Sequence, residues 1–336
     1  MTTARVLDPT DEQLEALRLP LTAGWALDQP HEPPPTAAQW RGALRSPWSG
    51  DPARLLVAGD GPCGLALVEL PAHDNPHLAT AQVLVAPGSR RRGVATALWE
   101  GVADLARAEG RRTVLAEARV GSPAEALYAA VGARPELEEV QREQRLRELD
   151  PALVARLRRA ASAAARGYRL DSWTGPTPAG LQRAVAALQH TLNDAPMGGL
   201  DHDGEAWDAG RLASRDAAVV AAGLRMHCVV ALSAHGEPAG FTDVAVSEDG
   251  AYAWQWGTGV VPEHRGHRLG LLLKATMVER LWALEPALEV VTTWNADSNA
   301  HMVAVNDALG YRPVDRLREC QADVSRAPAR GRSAGR

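Results

Sequence analysis

The chain has 336 residues, a net charge of −5 and 46% hydrophobic residues, so its length predicts two domains of roughly 100–200 residues each. The acidic balance argues against a general nucleic-acid-binding protein, which usually has a basic domain. Three widely spaced cysteines, Cys63, Cys228 and Cys320, fit neither a disulfide framework nor a zinc pattern, so no metal is expected. The sequence has no apolar run of about 18 residues and no signal-peptide pattern, so we expect a cytoplasmic protein that does not enter a membrane.

The pattern of apolar residues predicts a mixed α/β order in the first half of the chain. A possible short strand, ARVL, precedes two helices, DEQLEALRLPL and TAAQWRGALRS. Three strands rich in Val and Leu follow, ARLLVAG, GLALVEL and TAQVLVA. Apolar residues at helical spacing then predict a helix from about residue 94 to residue 109. The strand RTVLAEARV, the short helix PAEALYAAVG and the strand ELEEVQREQRL complete this half.

The second half repeats this order, which points to two copies of one domain. VLVAPGSRRRGVATALWEGV (83–102) aligns with TGVVPEHRGHRLGLLLKATM (258–277), and LYAAVGARP (127–135) aligns with VNDALGYRP (305–313). The strands HCVVALSA, GEPAGFTDVAVS and AYAWQWGTGVV precede a helix from about residue 269 to residue 284. The strand LEVVTTW, the helix NAHMVAVNDALG and the strand YRPVDRLRECQADV follow it. We therefore divide the chain into a first domain (1–150), a helical linker (151–167), a second domain (168–324) and a disordered basic tail (325–336).

The junction RRRGVA, residues 90–95, lies between a predicted strand and a predicted helix. A helix N-terminus exposes unpaired N–H groups and the positive end of the helix dipole, which together attract anions. Arginine adds forked donors for phosphate oxygens, and glycine lets a ligand approach the backbone closely. The pattern is neither a P-loop nor the dinucleotide fingerprint. A solvated helix start is the alternative for one such loop, but two loops at matching places favour pyrophosphate binding.

The order of strand, V-x-P-x-x-R-x-x-G-x-A, helix, strand and short helix ending in L-Y-x-x-x-G resembles the GNAT superfamily of acyl-CoA-dependent acyltransferases. The resemblance covers most of both halves and implies two α/β domains in tandem, each with a mixed sheet. It also implies that acetyl-CoA or another acyl-CoA is bound. The implied cofactor-binding residues are Leu84, Val85, Arg90, Arg91, Arg92, Gly93, Val94, Ala95 and Thr96 in the first copy, and Val260, Val261, Arg265, Gly266, His267, Arg268, Leu269, Gly270 and Asn299 in the second.

The resemblance implies that an amine attacks the thioester directly. A backbone N–H near residues 84–85 or 259–260 would stabilise the carbonyl oxygen as it gains negative charge. Tyr128 matches the family's tyrosine and would protonate the leaving thiolate. The second copy has Asn306 at that position, although Asn299 matches an asparagine that the family often places near the CoA chain. The arginine loop together with the tyrosine favours the N-terminal copy as the catalyst.

The general base stays open at this stage. The candidates are polar loop residues, which are more often plain solvated turn residues. They are Glu69, His73, Asp74 and His77 in the first copy, and Asp243, Glu248 and Asp249 in the second. Trp254 and Trp256 alternate along one strand, so they share a face and lie either in the core or along an acceptor cleft.

These observations predict an N-acyltransferase acting on the amine of a small molecule. We expect a monomer or a homodimer without a nucleic-acid, membrane or metal partner. Two alternatives remain open. One is a non-catalytic acyl-CoA-binding sensor or scaffold, and the other is a protein N-acetyltransferase.

Overall fold

The structure is a computed structural model that describes residues 2–47, 50–59 and 63–326. The predicted basic tail lies outside the described residues from position 327 onward. Within the described residues, no helix combines the length and the apolar character needed to cross a membrane.

Both halves contain strands and helices in one repeating order, which confirms the predicted α/β class. The first half consists of β1 (Ala4–Leu7), α1 (Asp11–Asp28), α2 (Ala37–Arg45), β2 (Ala53–Ala58), β3 (Gly64–Glu69), β4 (Leu78–Val85), α3 (Val94–Ala108), β5 (Thr113–Arg119), α4 (Pro123–Ala130) and β6 (Arg134–Arg145). The second half consists of β7 (Arg169–Thr174), α6 (Gln182–Gln189), α7 (Ala209–Ala221), β8 (Arg225–Leu232), β9 (Pro238–Val246), β10 (Tyr252–Val260), α8 (Leu269–Leu284), β11 (Val290–Ala296), α9 (Ala300–Ala308) and β12 (Arg312–Asp323). Helix α5 (Pro151–Ala164) joins the two halves in the segment predicted as a helical linker.

Local sequence signals explain where the helices of the first half begin. Helices α1 and α2 each start with a capping box, in which a threonine side chain accepts from the amide three residues later. The glutamine at that later position accepts in return from the threonine amide. The equivalent helices of the second half, α6 and α7, and the strand β7 were not predicted from the sequence. Helix α7 nonetheless has a clear start signal, because the Asp208 side chain caps it by accepting from the backbone N–H of Arg211.

The twelve strands of the described residues form one sheet in the order β1-β2-β3-β4-β5-β12-β6-β11-β10-β9-β8-β7. The last strand of each half crosses into the other half: β12 pairs with β5, and β6 pairs with β11. The two exchanged strands pair with each other, antiparallel, at the centre of the sheet. In this pair Arg312 lies opposite Glu143, and Gln321 lies opposite Arg134. Each copy is therefore completed by a strand of the other, around a pseudo-two-fold axis.

Apolar residues cover both faces of this sheet. On one face, α3 and α4 pack in the first half, where Leu98 and Val102 are fully buried, and α8 and α9 pack in the second half around Leu273. On the other face, α1 and α2 bury Leu65, and α6 and α7 bury Val230 and Phe241. All four helix pairs depend on the same central sheet, so their packing is coupled through it.

We expect the chain to unfold in one cooperative transition, because neither half has a complete sheet without the other. Scanning calorimetry should give a calorimetric enthalpy equal to the van't Hoff enthalpy for the whole chain. Two resolved transitions, or a van't Hoff enthalpy near half of the calorimetric one, would show that the halves unfold independently.

Candidate active site

Both strand-to-helix junctions follow the same backbone path. Each has two residues with a left-handed backbone: Arg91 (φ 60°) and Gly93 (φ 80°) in the first copy, Gly266 (φ 84°) and Arg268 (φ 56°) in the second. Each loop thus places one glycine and one arginine in this conformation, with the order reversed. A left-handed backbone at a non-glycine residue costs roughly 1–2 kcal/mol of conformational energy, and each loop contains one such residue. Arg268 therefore keeps the loop shape without the glycine that the motif usually has at this position.

The first arginine of each junction braces the loop. Arg90 Nε donates to the carbonyl of Val85 at 3.3 Å, and its guanidinium pairs with Asp28 at 2.6 Å. The equivalent residues of the second copy are Arg265, Val260 and Asp194. These arginines tie the loop to the end of the preceding strand and to the helical segment above it. Their direct contact with phosphate stays a prediction.

In the second copy, a cleft of about 560 Å³ runs from the start of α8 to the start of α9. It brings together seven of the predicted residues: Val260, Arg265, Gly266, Arg268, Leu269, Gly270 and Asn299. The two others lie elsewhere. Val261 packs against the core under α6 and α7, and the centroid of the His267 ring lies 5.5 Å from that of the Tyr168 ring. Asn299 also caps α9 by accepting from Met302 N–H at 3.3 Å.

The corresponding strand end in the first copy is covered by helix α1. A Cβ atom added at Gly24 would lie 3.2 Å from the Val85 carbonyl oxygen, so the helix backbone rests directly on the strand end. Leu84 is buried in the core beneath α1 and α2. Of the predicted loop residues, Val94 is buried, Ala95 is half-buried, and Arg91, Arg92, Gly93 and Thr96 are exposed. The predicted loop therefore exists, and α1 covers one face of the strand end that leads to it, as the short helical segment 190–194 does at Gly259 in the second copy.

Strands β10 and β11 separate in the middle of the second copy. They pair only from Tyr252 to Trp254 and then diverge. A cavity of about 250 Å³ lies between them and adjoins the cleft, with which it shares five lining residues: Leu192, Ala195, Thr258, Asn299 and Met302. The two spaces form a path from the loop, between the strands, to the opposite face of the sheet.

A β-bulge in β10, between Gln255 and Thr258, shapes this path. A buried polar network supports the bulge, with Gly257 N–H donating to Asp243 Oδ1 at 2.6 Å and Arg215 donating to Asp243 Oδ2 at 2.9 Å. Arg215 and Asp243 are each only 2% exposed. Asp243, one of the candidate bases, is thus fully engaged in structure. The equivalent strands of the first copy are β3 and β4. They pair without a register shift, so these two strands, both within the described residues, have no such bulge.

The two copies also differ under the strand gap. Tyr128 is 1% exposed and packs on Trp99 with ring centroids 5.3 Å apart, and burial raises the pKa of the Tyr128 hydroxyl far above its usual value. In the second copy, Lys274 and Asn306 occupy the equivalent positions, and Lys274 Nζ donates to Asn306 Oδ1 at 2.6 Å. Lys274 lines the cavity between β10 and β11. Lys274 was not among the predicted site residues, although it is the only lysine in the sequence.

Glu139 enters the second copy's cavity from the exchanged strand β6. Side chains alternate along a strand. Gln144 donates to the Leu309 carbonyl at the end of α9, whereas Gln141 donates to Glu32, near α1. Glu139 therefore shares the face of Gln141, opposite to α8 and α9. Burial, and then repulsion from Glu319, raises the pKa of Glu139 to about 7.

Further glutamates lie near Glu139 on this face, in the groove between the halves. Desolvation, and then repulsion from Glu319, Glu32 and Glu139, raises the pKa of Glu117 to about 8, although the residue as a whole is exposed at the surface. Burial raises the pKa of Glu32 to about 7, against the opposing hydrogen bond that Trp254 donates. Glu32, Trp254 and Trp256 line a cavity of about 290 Å³ here, and Trp256 also lines the cavity at Glu139.

Several candidate bases lie away from this cavity in ordinary structural contacts. Asp74 pairs with Arg211, and His77 Nε2 donates to the Asp201 carbonyl at 2.9 Å. Glu69 accepts from Thr80 at 3.3 Å. Asp249 accepts from Ser247, and this bond lowers the pKa of the Asp249 carboxyl. Within residues 2–47, 50–59 and 63–326, no group of His, Cys, Asp or Glu side chains is arranged to hold a metal ion.

Comparison with known proteins gives a consistent result. Residues 19–133 match the acetyltransferase (GNAT) family. A tandem GNAT protein from the clavulanic acid biosynthesis pathway, solved without AcCoA, is 29% identical with a TM-score of 0.80, covering 98% of this chain and 100% of that chain. Two proteins share the fold at lower identity: a GCN5-related N-acetyltransferase from Sphaerobacter thermophilus (17% identity, TM-score 0.65, 96% of each chain) and a putative acetyltransferase from Pyrococcus horikoshii (13%, 0.57, 97% and 91%). No curated protein sequence matches the chain.

We expect the substitution Arg215→Met to lower the free energy of unfolding by about 3–5 kcal/mol, because it leaves the Asp243 carboxylate buried without its partner. Chemical denaturation measures this change. Arg158→Ala is the control, because Arg158 pairs with Glu279 at the surface, where such a pair contributes less than about 1 kcal/mol. Equal effects of the two substitutions would mean that the Arg215–Asp243 pair does not support the fold.

Proposed function

This chain is a tandem protein of the GNAT acetyltransferase family, and we propose that its C-terminal half transfers the acyl group of acetyl-CoA, or of another acyl-CoA, to the amine of a small molecule. The observation that supports this assignment is the continuous path from the α8 loop through the gap between β10 and β11 to Glu139. It joins an anion-binding helix start to a carboxylate on the opposite face of the sheet. This assignment replaces the sequence-based preference for the N-terminal copy, in which the buried rings of Trp99 and Tyr128 occupy the positions of Lys274 and Asn306.

The residues of the cleft fit an acyl-CoA. The backbone N–H groups of residues 266–270 would hold the pyrophosphate at the positive end of α8, with Arg268 adding charge beside it. Asn299 would contact the pantetheine chain where the cleft meets the cavity. Bound there, coenzyme A supplies the acyl group as a thioester. The loop, the cleft and the gap thus match the three parts of the molecule: diphosphate, chain and thioester.

The backbone of β10 would stabilise the carbonyl oxygen during transfer. The N–H of Val261 donates to Ala239 on β9. Because backbone N–H groups alternate in direction along a strand, the N–H of Val260 points into the gap left by β11. A donor held in place before the reaction stabilises charge that develops on the oxygen.

Glu139 would act as the general base. It lies on the face opposite α8, so an amine that enters from this groove reaches the thioester from the side of Glu139. With a pKa near 7, its carboxylate is partly ionised at neutral pH and can accept a proton from the attacking amine. The N-terminal half would thereby supply a residue to the site of the C-terminal half through the exchanged strand β6.

The groove favours a basic amine as the acceptor. Glu32, Glu117 and Glu319 lie near Glu139, and a bound ammonium group would stabilise their ionised forms, because a neighbouring opposite charge favours the charged state of a carboxyl. The relative from the clavulanic acid pathway supports a small-molecule acceptor from specialised metabolism. A cavity of about 290 Å³ beside Trp254 and Trp256 suits a small molecule better than a folded protein surface.

We expect Gly266→Val to weaken acetyl-CoA binding at least about tenfold, because a β-branched residue cannot easily keep the left-handed backbone at φ 84°. Gly93→Val is the matched control, because a Cβ meets no atom within 4 Å at either glycine. Isothermal titration calorimetry should show one acetyl-CoA per chain, lost with the first substitution and kept with the second. The opposite pattern would place the donor in the N-terminal copy.

We expect Glu139→Gln to lower kcat by about 10²–10⁴-fold with a panel of small amines, while acetyl-CoA affinity is kept. Because the base must be ionised, the wild-type rate should rise as the pH increases from about 5 toward about 7, and the variant should lose this acidic limb of the pH profile. Glu138→Gln is the control, since Glu138 pairs with Arg316 and Arg318 away from the cavity. Detection of released thiol measures turnover. Tight acetyl-CoA binding without any thiol release would favour a sensor over an enzyme.

A further inference from the structure

Lys274 is the only lysine of the chain, and it is buried. Lys274 is 2% exposed. Its ammonium group donates to Asn306 Oδ1 and lies 4.6 Å from the centroid of the Tyr311 ring. Within the described residues, no carboxylate forms an ion pair with it, and burial alone shifts its pKa downward, to about 7. A buried cation without a carboxylate is costly, so the position calls for an explanation beyond packing.

The fold does not require a lysine here, because the first copy fills the same place with an apolar residue. Helices α3 and α8 begin at Val94 and Leu269, so Lys274 is equivalent to Trp99. The partner changes together with it: Tyr128 packs on Trp99, whereas Asn306 accepts from Lys274. One copy therefore has an aromatic pair beneath the strand gap, and the other has a cation held by an amide.

The orientation of Asn306 is fixed by a second amide. Asn306 Nδ2 donates to Asn295 Oδ1 at 2.6 Å, so Asn306 Oδ1 must face Lys274. An ammonium group has three N–H donors, and Asn306 accepts one of them. Lys274 and Asn295 both line the cavity between β10 and β11, which adjoins the cleft at Thr258 and Asn299. Asn306 thus anchors the ammonium beside the space in which the thioester would lie.

We propose that Lys274 donates a proton to the sulfur of the leaving thiolate, a role that rests on the acyl-transfer function proposed above. In this step the amine nitrogen forms a bond to the carbonyl carbon, and the carbon–sulfur bond breaks. The electron pair of the broken bond stays on sulfur, which takes a proton from the Lys274 ammonium and becomes a thiol. Glu139 takes the proton that the amine loses, and exchange with solvent returns a proton to Lys274. The products are an amide and free coenzyme A.

The proton donor and the base lie on opposite faces of the sheet. Lys274 projects from α8, whereas Glu139 lies on the face of Gln141 and Glu32, and both line the same cavity. The titratable groups around this cavity are Lys274, Glu139 and, behind the ammonium, Tyr311. A donor with a pKa near 7 passes its proton readily to a thiolate, because ordinary thiols have pKa values near 8.5. Moving the donor from α9 to α8 explains how this copy functions without a tyrosine at position 306.

The ultraviolet absorbance of the thiolate of bound coenzyme A tests this role without an acceptor. At about pH 6.5, where most Lys274 side chains are still charged, we expect the thiolate fraction of bound coenzyme A to exceed that of free coenzyme A about fivefold or more, because a neighbouring cation favours the thiolate. Lys274→Met should remove this excess and keep the dissociation constant of coenzyme A within about threefold. Desulfo-coenzyme A corrects for the protein cysteines, and Tyr128→Phe is the matched control in the other copy, which should behave as wild type.

The outcomes separate the two proposals. If coenzyme A binds but its thiolate fraction at about pH 6.5 is the same in the wild type and in Lys274→Met, Lys274 is not the donor and the acyl-transfer function still stands. If coenzyme A does not bind to the wild type, the acyl-transfer function fails, and the role of Lys274 fails with it. An excess of thiolate that disappears in Tyr128→Phe instead would assign the donor to the N-terminal copy.

A second measurement covers the case in which Lys274→Met fails to fold. Protein labelled with ¹⁵N-lysine has a single lysine side-chain signal, which reports the titration of Lys274 directly. We expect a midpoint near pH 7 in the wild type and a higher midpoint in Asn306→Asp, where a carboxylate would lie beside the ammonium. A wild-type midpoint near the ordinary lysine value of about 10.4 would overturn the proposal.

Discussion

The antiparallel pairing of β6 with β12 is the constraint on which the rest of the molecule depends. These two strands form the seam of a twelve-stranded sheet, and each completes the half to which it does not belong in sequence. The exchange brings Glu139 from the N-terminal half into the cavity beneath the C-terminal half. It also brings the loops of the two halves together around one shared groove. The candidate site is therefore a property of the whole sheet and not of one repeat.

The repeat also shows how one backbone can serve two purposes. Both loops have the same left-handed positions, and both first arginines brace the preceding strand in the same way. The two copies differ in the side chains around the gap, where the strand before each loop separates from its parallel neighbour. In the first copy, Trp99 with Tyr128 fills the space below the gap. In the second copy, a bulge supported by buried Asp243 keeps the path open, and polar side chains line it.

Much of this fold was predictable from local sequence signals. The alternation of apolar residues, the capping threonines and the repeated arginine loop define most elements and both junctions. The exchange of β6 and β12 was not predictable in this way, because both strands have similar patterns and could pair equally well within their own copy. The bulge depends on Arg215 and Asp243, which are far apart in sequence and meet only in the core. Tyr128 matched a motif, but a motif does not reveal that Trp99 packs beside it.

The seam has the symmetry of a homodimer whose subunits swap their final strands. Joining two such subunits through α5 turns an association between separate molecules into a contact within one chain, which dilution cannot undo. Once the partner is covalently attached, the two subunits no longer need identical sequences. One can then specialise as scaffold while the other diversifies its chemistry, a division of labour that a symmetric pair encoded by a single gene cannot reach.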